Sequence, residues 1–229
     1  MLPTRNGSVR LFRFAGIDVW LHWSWAVIAL WAIQSRQGLY TSITWNVIEY
    51  LALFGIVLMH EFGHALACRQ TGGQASQIVL WPLGGVAYVS PPFRAGAQLW
   101  SIFAGPLVNI ILVPVLMFLP QVMITSGLAP SSTDFWLCYE MIQRINIGLL
   151  VFNMLPVYPL DGGQILRSLL WFLIGPRKSL LAATSLGLAG AAALIILAVT
   201  SGSIWIGIIA AFLGITCWRA FQAARQGAG

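Results

Sequence analysis

Five consecutive residues, His60-Glu61-Phe62-Gly63-His64, bring two imidazoles and a carboxylate together in a chain that holds only three histidines and three glutamates. On a helix, positions i and i+4 share one face, so both imidazoles can reach a single metal ion. Nitrogen donors at this spacing suit Zn²⁺, whose catalytic sites take three protein ligands and keep a fourth position open. Glu61 adjoins the first histidine and is placed to take a proton from an attacking water. The motif sits inside an apolar stretch, residues 51–68, where ionisable groups are costly and mark function. Arg69 lies nine residues beyond His60 and five beyond His64. At 1.5 Å per residue the metal would sit roughly 7–14 Å below the membrane surface, so water must enter through a cavity from that side.

Two histidines leave a ligand to be found. His22 lies in a Trp-rich stretch suited to the membrane interface and is expected to be interfacial or structural. Asp18, Glu49, Asp134 and Glu140 fall near span ends, where charge is tolerated, and Glu140 is four residues from Arg144, a helical pairing distance. Asp161 remains. It follows a long apolar stretch and sits in Asn153-Met-Leu-Pro-Val-Tyr-Pro-Leu-Asp-Gly-Gly163, where two prolines and two glycines interrupt any helix. A turn-capping role is the alternative reading of this aspartate.

The elements that must carry these residues are set by composition. The chain has 229 residues, 59% hydrophobic and 8% charged. Soluble domains are about 25% charged, so the deficit implies that lipid solvates much of the surface. The expected fold is an all-α polytopic membrane protein in a single domain, 1–229. Its six spans would run near 20–33, 47–68, 99–123, 135–155, 180–200 and 204–218. The first is read as a retained span, since Asp18 and His22 and the absence of a small-residue cleavage site do not fit a signal peptide. Between spans two and three, residues 74–90 carry β-branched and aromatic residues around Pro82, Gly84 and Gly85, which predicts a membrane-associated β-hairpin or loop.

The net charge of +6 comes from eleven Arg and one Lys scattered singly between apolar stretches. That distribution excludes a nucleic-acid partner and fits membrane-flanking charge. Six spans put Arg5, Arg10, Arg13, Arg69, Arg94, Arg167, Arg177, Lys178, Arg219 and Arg225 on one side, against Arg36 and Arg144 on the other. Both termini are therefore expected in the cytoplasm, in the plasma membrane of a prokaryote. Cys68, Cys138 and Cys217 are odd in number and widely spaced, and read as apolar filler.

Taken together, His60-Glu-Phe-Gly-His64, Gly105-Pro-Leu-Val-Asn109 and the 153–163 segment resemble the site-2 protease family of intramembrane zinc metalloproteases over nearly the whole chain. The last segment is similar to the family's Asn-x-x-Pro-x-x-x-Leu-Asp-Gly element. The resemblance implies Zn²⁺ held by His60, His64 and Asp161, with Glu61 as general base. It also implies that Asn153 contacts the substrate backbone or the developing oxyanion, with Asn109 in a similar polar role. Gly84 and Gly85 match a glycine pair in the family's membrane-associated loop. Many relatives carry a PDZ or nucleotide-sensing domain, and neither is present in this sequence, so it reads as a minimal core whose substrate filter lies in the core or in a regulatory membrane partner.

The implied substrate is a transmembrane protein that must unwind to expose its backbone. The 74–90 segment could hold it by strand pairing, with the N–H groups of Val86 and Tyr88 as expected donors. A membrane metal-binding or transport protein is the rival class, and a non-catalytic relative that binds membrane helices is a third. Transport sits poorly with the absence of an internal repeat and with a base at position 61. The third would be expected to have lost Glu61 or a ligand.

Overall fold

A computed structural model describes residues 7–36, 38–81 and 84–226; Arg5 and Pro82 lie outside them. In chain order the elements are β1 (Ser8–Phe14), β2 (Ile17–His22), α1 (Ser24–Ser35), α2 (Ile43–Gln70), β3 (Gln74–Trp81), β4 (Gly84–Ser90), α3 (Ala95–Thr125), α4 (Thr133–Asn153), α5 (Asp161–Ser201) and α6 (Ile204–Arg225). The chain divides into two compact units. One joins the residues up to Pro91 with Ala104–Leu150, and the other joins Pro92–Phe103 with the residues from Val151 onward.

Among the described residues four helices, α2, α3, α5 and α6, are long and apolar enough to cross a membrane. They expose large apolar side chains such as Leu173, Val199 and Ile204, as a protein solvated by lipid does. The chain is an integral membrane protein. The other two helices found where spans were expected differ in kind. α1 has 12 residues, a length of about 18 Å against a hydrocarbon core of about 30 Å. α4 has 21 residues but carries Asp134, Glu140 and Arg144. The Glu140–Arg144 pair forms as its spacing predicts, at 2.6 Å.

The 74–90 hairpin is present as β3 and β4, with Gln74 opposite Ser90 and Trp81 opposite Gly84. It belongs to a larger sheet than the sequence reading anticipated, four strands in the order β1-β2-β3-β4. β1 and β2 pair antiparallel, and β2 runs parallel to β3 through α1 and α2, the long crossover that parallel pairing needs. The sequence reading began a span near residue 20 and missed these strands. The signal was a short alternation in which Ile17 and Val19 are fully buried while Asp18 and Trp20 are half-exposed.

Ile17, Val19, Ile78 and Leu80 form a core with Val57, Ala65 and Cys68 of α2, which fixes the sheet against the chemical face of that helix. Arg69 ends the arrangement. Its Nε donates to the Ala75 carbonyl at 2.9 Å and its Nη2 to the Gly16 carbonyl at 3.1 Å, and it also reaches the Ala15 carbonyl. A charge at the last turn of α2 thus ties the β1–β2 turn and the start of β3 to the helix that carries the motif. At the opposite end of α2, Glu49 takes Arg36 and the Tyr40 hydroxyl, while Asp134 accepts the Thr41 backbone N–H at 3.0 Å. Burial, reinforced by the Glu49 carboxylate, pushes the Tyr40 hydroxyl well above its usual range.

α3 contains Pro106, Pro114 and Pro120. A proline has no N–H to give the carbonyl four residues back, so Pro120 leaves the Leu116 carbonyl open. Tyr139 and Gln143 of α4 both donate to it, at 2.7 and 2.5 Å, which joins α3 to α4 inside the first unit. In the second unit α5 breaks at Gly175, whose φ of 79° leaves the helical region, and Pro176 starts the following helix. The expected fifth span is therefore the 176–201 portion. Residues 161–174 form a separate helix that begins at the interrupted segment.

Candidate metal centre and base

α2 delivers three of the four expected chemical groups. His60, Glu61 and His64 are all buried, at 3%, 6% and 7% exposure, on the candidate span that is most enclosed by protein. Nε2 of His60 and Nε2 of His64 lie 3.1 Å apart. Two nitrogens at zinc-bond length on a tetrahedral ion would be about 3.3 Å apart, so the pair is spaced as ligands to one ion.

Asp161 is the first residue of α5, following Leu160, whose side chain supplies no cap. The partial positive charge of a helix N-terminus suits a carboxylate there. Asp161 belongs to the second unit, whereas His60 and His64 belong to the first. Two imidazole nitrogens and a carboxylate oxygen are a donor set of the catalytic zinc type. α3 adds a second sign of fit. A Cβ on Gly105 would stand 2.9 Å from His60 Nε2 and closer still to His64. The backbone of α3 therefore approaches the imidazoles as only glycine allows, leaving room at their donor atoms.

Glu61 is held from β4. The Ala87 backbone N–H donates to its Oε2 at 3.0 Å. Gly85 gives the same carboxylate space, because a Cβ there would fall on the Glu61 side chain, 2.5 Å from its Cδ. Gly84 closes the hairpin opposite Trp81. Gly85 thus makes room for the Glu61 side chain.

Asn109 lies on α3, fully buried. Its Oδ1 is 2.6 Å from His60 Nδ1, and its Nδ2 donates to Asn146 Oδ1 at 2.8 Å. Both ends of this amide are engaged within the chain, on a histidine rather than facing outward. Asn146 was missed by the sequence reading. Its signal was an amide flanked by Ile145 and Ile147 where α4 turns apolar. Asn153, expected to meet substrate, is the last residue of α4 and half-buried.

The remaining candidates have other work. His22 Nδ1 is 2.5 Å from Ser24 Oγ and its ring packs on Trp81, the structural role expected of it. Asp18 pairs with Arg10 at 2.7 Å.

Two buried histidines spaced for one metal ion, on a helix apolar enough to cross a membrane and next to a glutamate held by a strand, fit a membrane metalloprotease. The family model for peptidase family M50 matches residues 48–142 and 120–199. The chain is 31% identical over 208 residues to a zinc metalloprotease of Methanocaldococcus jannaschii, covering 91% of this chain and 59% of that protein. It is 31% identical over 141 residues to stage IV sporulation protein FB of Bacillus subtilis, covering 60% of this chain and 44% of that protein. The solved structure of a site-2 protease from Methanocaldococcus jannaschii superposes with a TM-score of 0.66 at 30% identity, covering 93% of this chain and 95% of that one. This chain belongs to peptidase family M50 and has the site-2 protease fold. It spans between 44% and 59% of the length of the curated relatives it matches.

Gly105→Ala tests the geometry of the centre. The added methyl must displace one or both imidazoles, so we expect zinc bound per purified chain to fall at least tenfold in metal analysis while the protein remains folded in detergent.

Proposed function

We propose that this chain is an intramembrane zinc protease that hydrolyses peptide bonds of transmembrane proteins. The observation that carries the reading is Glu61, a buried carboxylate adjacent to a zinc ligand and aimed by a backbone N–H. A metal-storage or transport site has no use for a held base next to its ligand, so the rival class is disfavoured.

In this reading His60, His64 and Asp161 hold Zn²⁺. Zinc in such a site lowers the pKa of a water towards about 7 and polarises a carbonyl. Glu61 takes the proton of the attacking water and returns it to the departing amine. The Ala87 N–H holds one carboxylate oxygen in place. Asn153 supplies a hydrogen bond to the substrate backbone or to the oxyanion as charge develops. Glu61→Gln keeps the size and the acceptor for Ala87 but removes the base. Zinc should stay bound while cleavage of a model transmembrane peptide in detergent falls by about 10²–10⁴-fold. Normal cleavage would exclude Glu61 as the base.

β4 ends the sheet, so its outer side is the natural place for an unwound substrate to pair. The donors differ from those the sequence suggested. Because the Ala87 N–H points to Glu61, alternation turns the N–H groups of Val86 and Tyr88 inward to β3, and those of Gly85 and Val89 outward. Val89→Pro should therefore reduce cleavage of a fully helical substrate several-fold, with zinc content unchanged, and affect a substrate carrying helix-breaking residues less. Equal cleavage by the variant would reduce β4 to a structural edge.

The basic bias puts both termini and the metal's open side in the cytoplasm. Single cysteines added at each end should be labelled by an impermeant reagent only after cells are opened; labelling of intact cells would reverse the orientation.

A further inference from the structure

His60 can serve as a ligand through Nε2 only if Nδ1 carries the ring proton, and that proton needs an acceptor held in the ring plane. Asn109 presents Oδ1 to Nδ1 at 2.6 Å. An amide alone is a poor guarantee of this, because turning it over by 180° would offer Nδ2, a donor, to a donor. Asn146 removes the ambiguity. Its Oδ1 accepts from Asn109 Nδ2 at 2.8 Å, which is possible only when Asn109 Oδ1 faces the histidine. Asn146 is pinned in turn, because its own Nδ2 donates to the Asn109 backbone carbonyl at 3.1 Å. That carbonyl cannot donate, so neither amide can turn over without placing like groups together. Asn109 and Asn146 are both fully buried, so no water stands ready to replace a lost partner.

We infer that Asn146 is a positioning residue for the metal centre: through Asn109 it fixes the tautomer and ring orientation of His60. The inference rests on the zinc site proposed above. Asn146 itself touches neither metal nor substrate in this scheme. It acts across two helices, from α4 through α3 to α2, all within the first unit. Removing it leaves Asn109 free to present the wrong end to His60.

The test is zinc affinity, measured on the purified full-length protein in detergent by competition with a chelator. The wild type must bind one zinc per chain; failure to do so would overturn the zinc reading and this inference together. Given wild-type binding, Asn146→Leu should weaken zinc affinity about 10- to 100-fold, the range found when a partner behind a metal ligand is lost. A merely structural role would do the same, so the deciding variant is Asn109→Asp. A carboxylate offers an acceptor oxygen at either end and needs nothing to orient it. In the Asn109→Asp background, Asn146→Leu should therefore cost no zinc affinity. A loss of equal size in both backgrounds, or no loss in the first, overturns the inference. If Asn146→Leu fails to fold, Asn146→Ser, which takes away the amide with less apolar bulk, is measured in the same two backgrounds. If Asn109→Asp fails to fold, Asn109→Ala replaces it: Asn146 acting only through Asn109 then has no further effect to exert.

Discussion

Placing imidazole and carboxylate inside hydrocarbon is unfavourable unless each polar atom has a designated partner, and this requirement organises the first unit of the molecule. α2 is long and apolar enough to cross a membrane and also carries His60, Glu61 and His64. It is accordingly wrapped more completely than the other candidate spans, with 44% of its apolar window buried against 17–22% in α3, α5 and α6. The sheet covers it on one side and supplies the N–H that Glu61 accepts. α3 comes close at Gly105 and supplies the amide that His60 requires. The irregular backbone of β3 and β4 is tolerable beside the spans because it is paired within the sheet and packed on α2.

The same rule accounts for the distant end of α2. Glu49 is buried with Arg36 and Tyr40, and Asp134 meets the backbone of Thr41. These groups anchor the α1–α2 loop to α2 and α4 without sharing the chemistry. Whether a buried carboxylate is structural or chemical is decided by what faces it. Glu49 faces a guanidinium and a phenol, whereas Glu61 adjoins His60 in the sequence and accepts a backbone N–H from β4.

Much of this was legible in the sequence, for identifiable reasons. The His-Glu-Phe-Gly-His spacing is a property of one helix, so a local pattern carries it. The hairpin at 74–90 announced itself by β-branched residues in a helical chain. What escaped depended on approach between segments distant in sequence. Nothing in Gly85 or Gly105 alone says that a carboxylate or an imidazole comes to rest against it. Asn146 looks like one more polar residue of α4 until Asn109, 37 positions earlier, is known to meet it. β1 and β2 escaped because their alternation is short and adjoins an apolar helix that captures the eye.

The Leu116 carbonyl has a consequence for how such a sequence can drift. Pro120 strips it of its helical donor, and two side chains, Tyr139 and Gln143, fill the vacancy where one would suffice. Either can be replaced while the other remains. Once one is gone, the survivor becomes indispensable for as long as the proline stays, and a return of the N–H at 120 releases both. Three positions on two helices are thus bound in an epistatic set, and counting variants one column at a time would rank each of the two donors as dispensable.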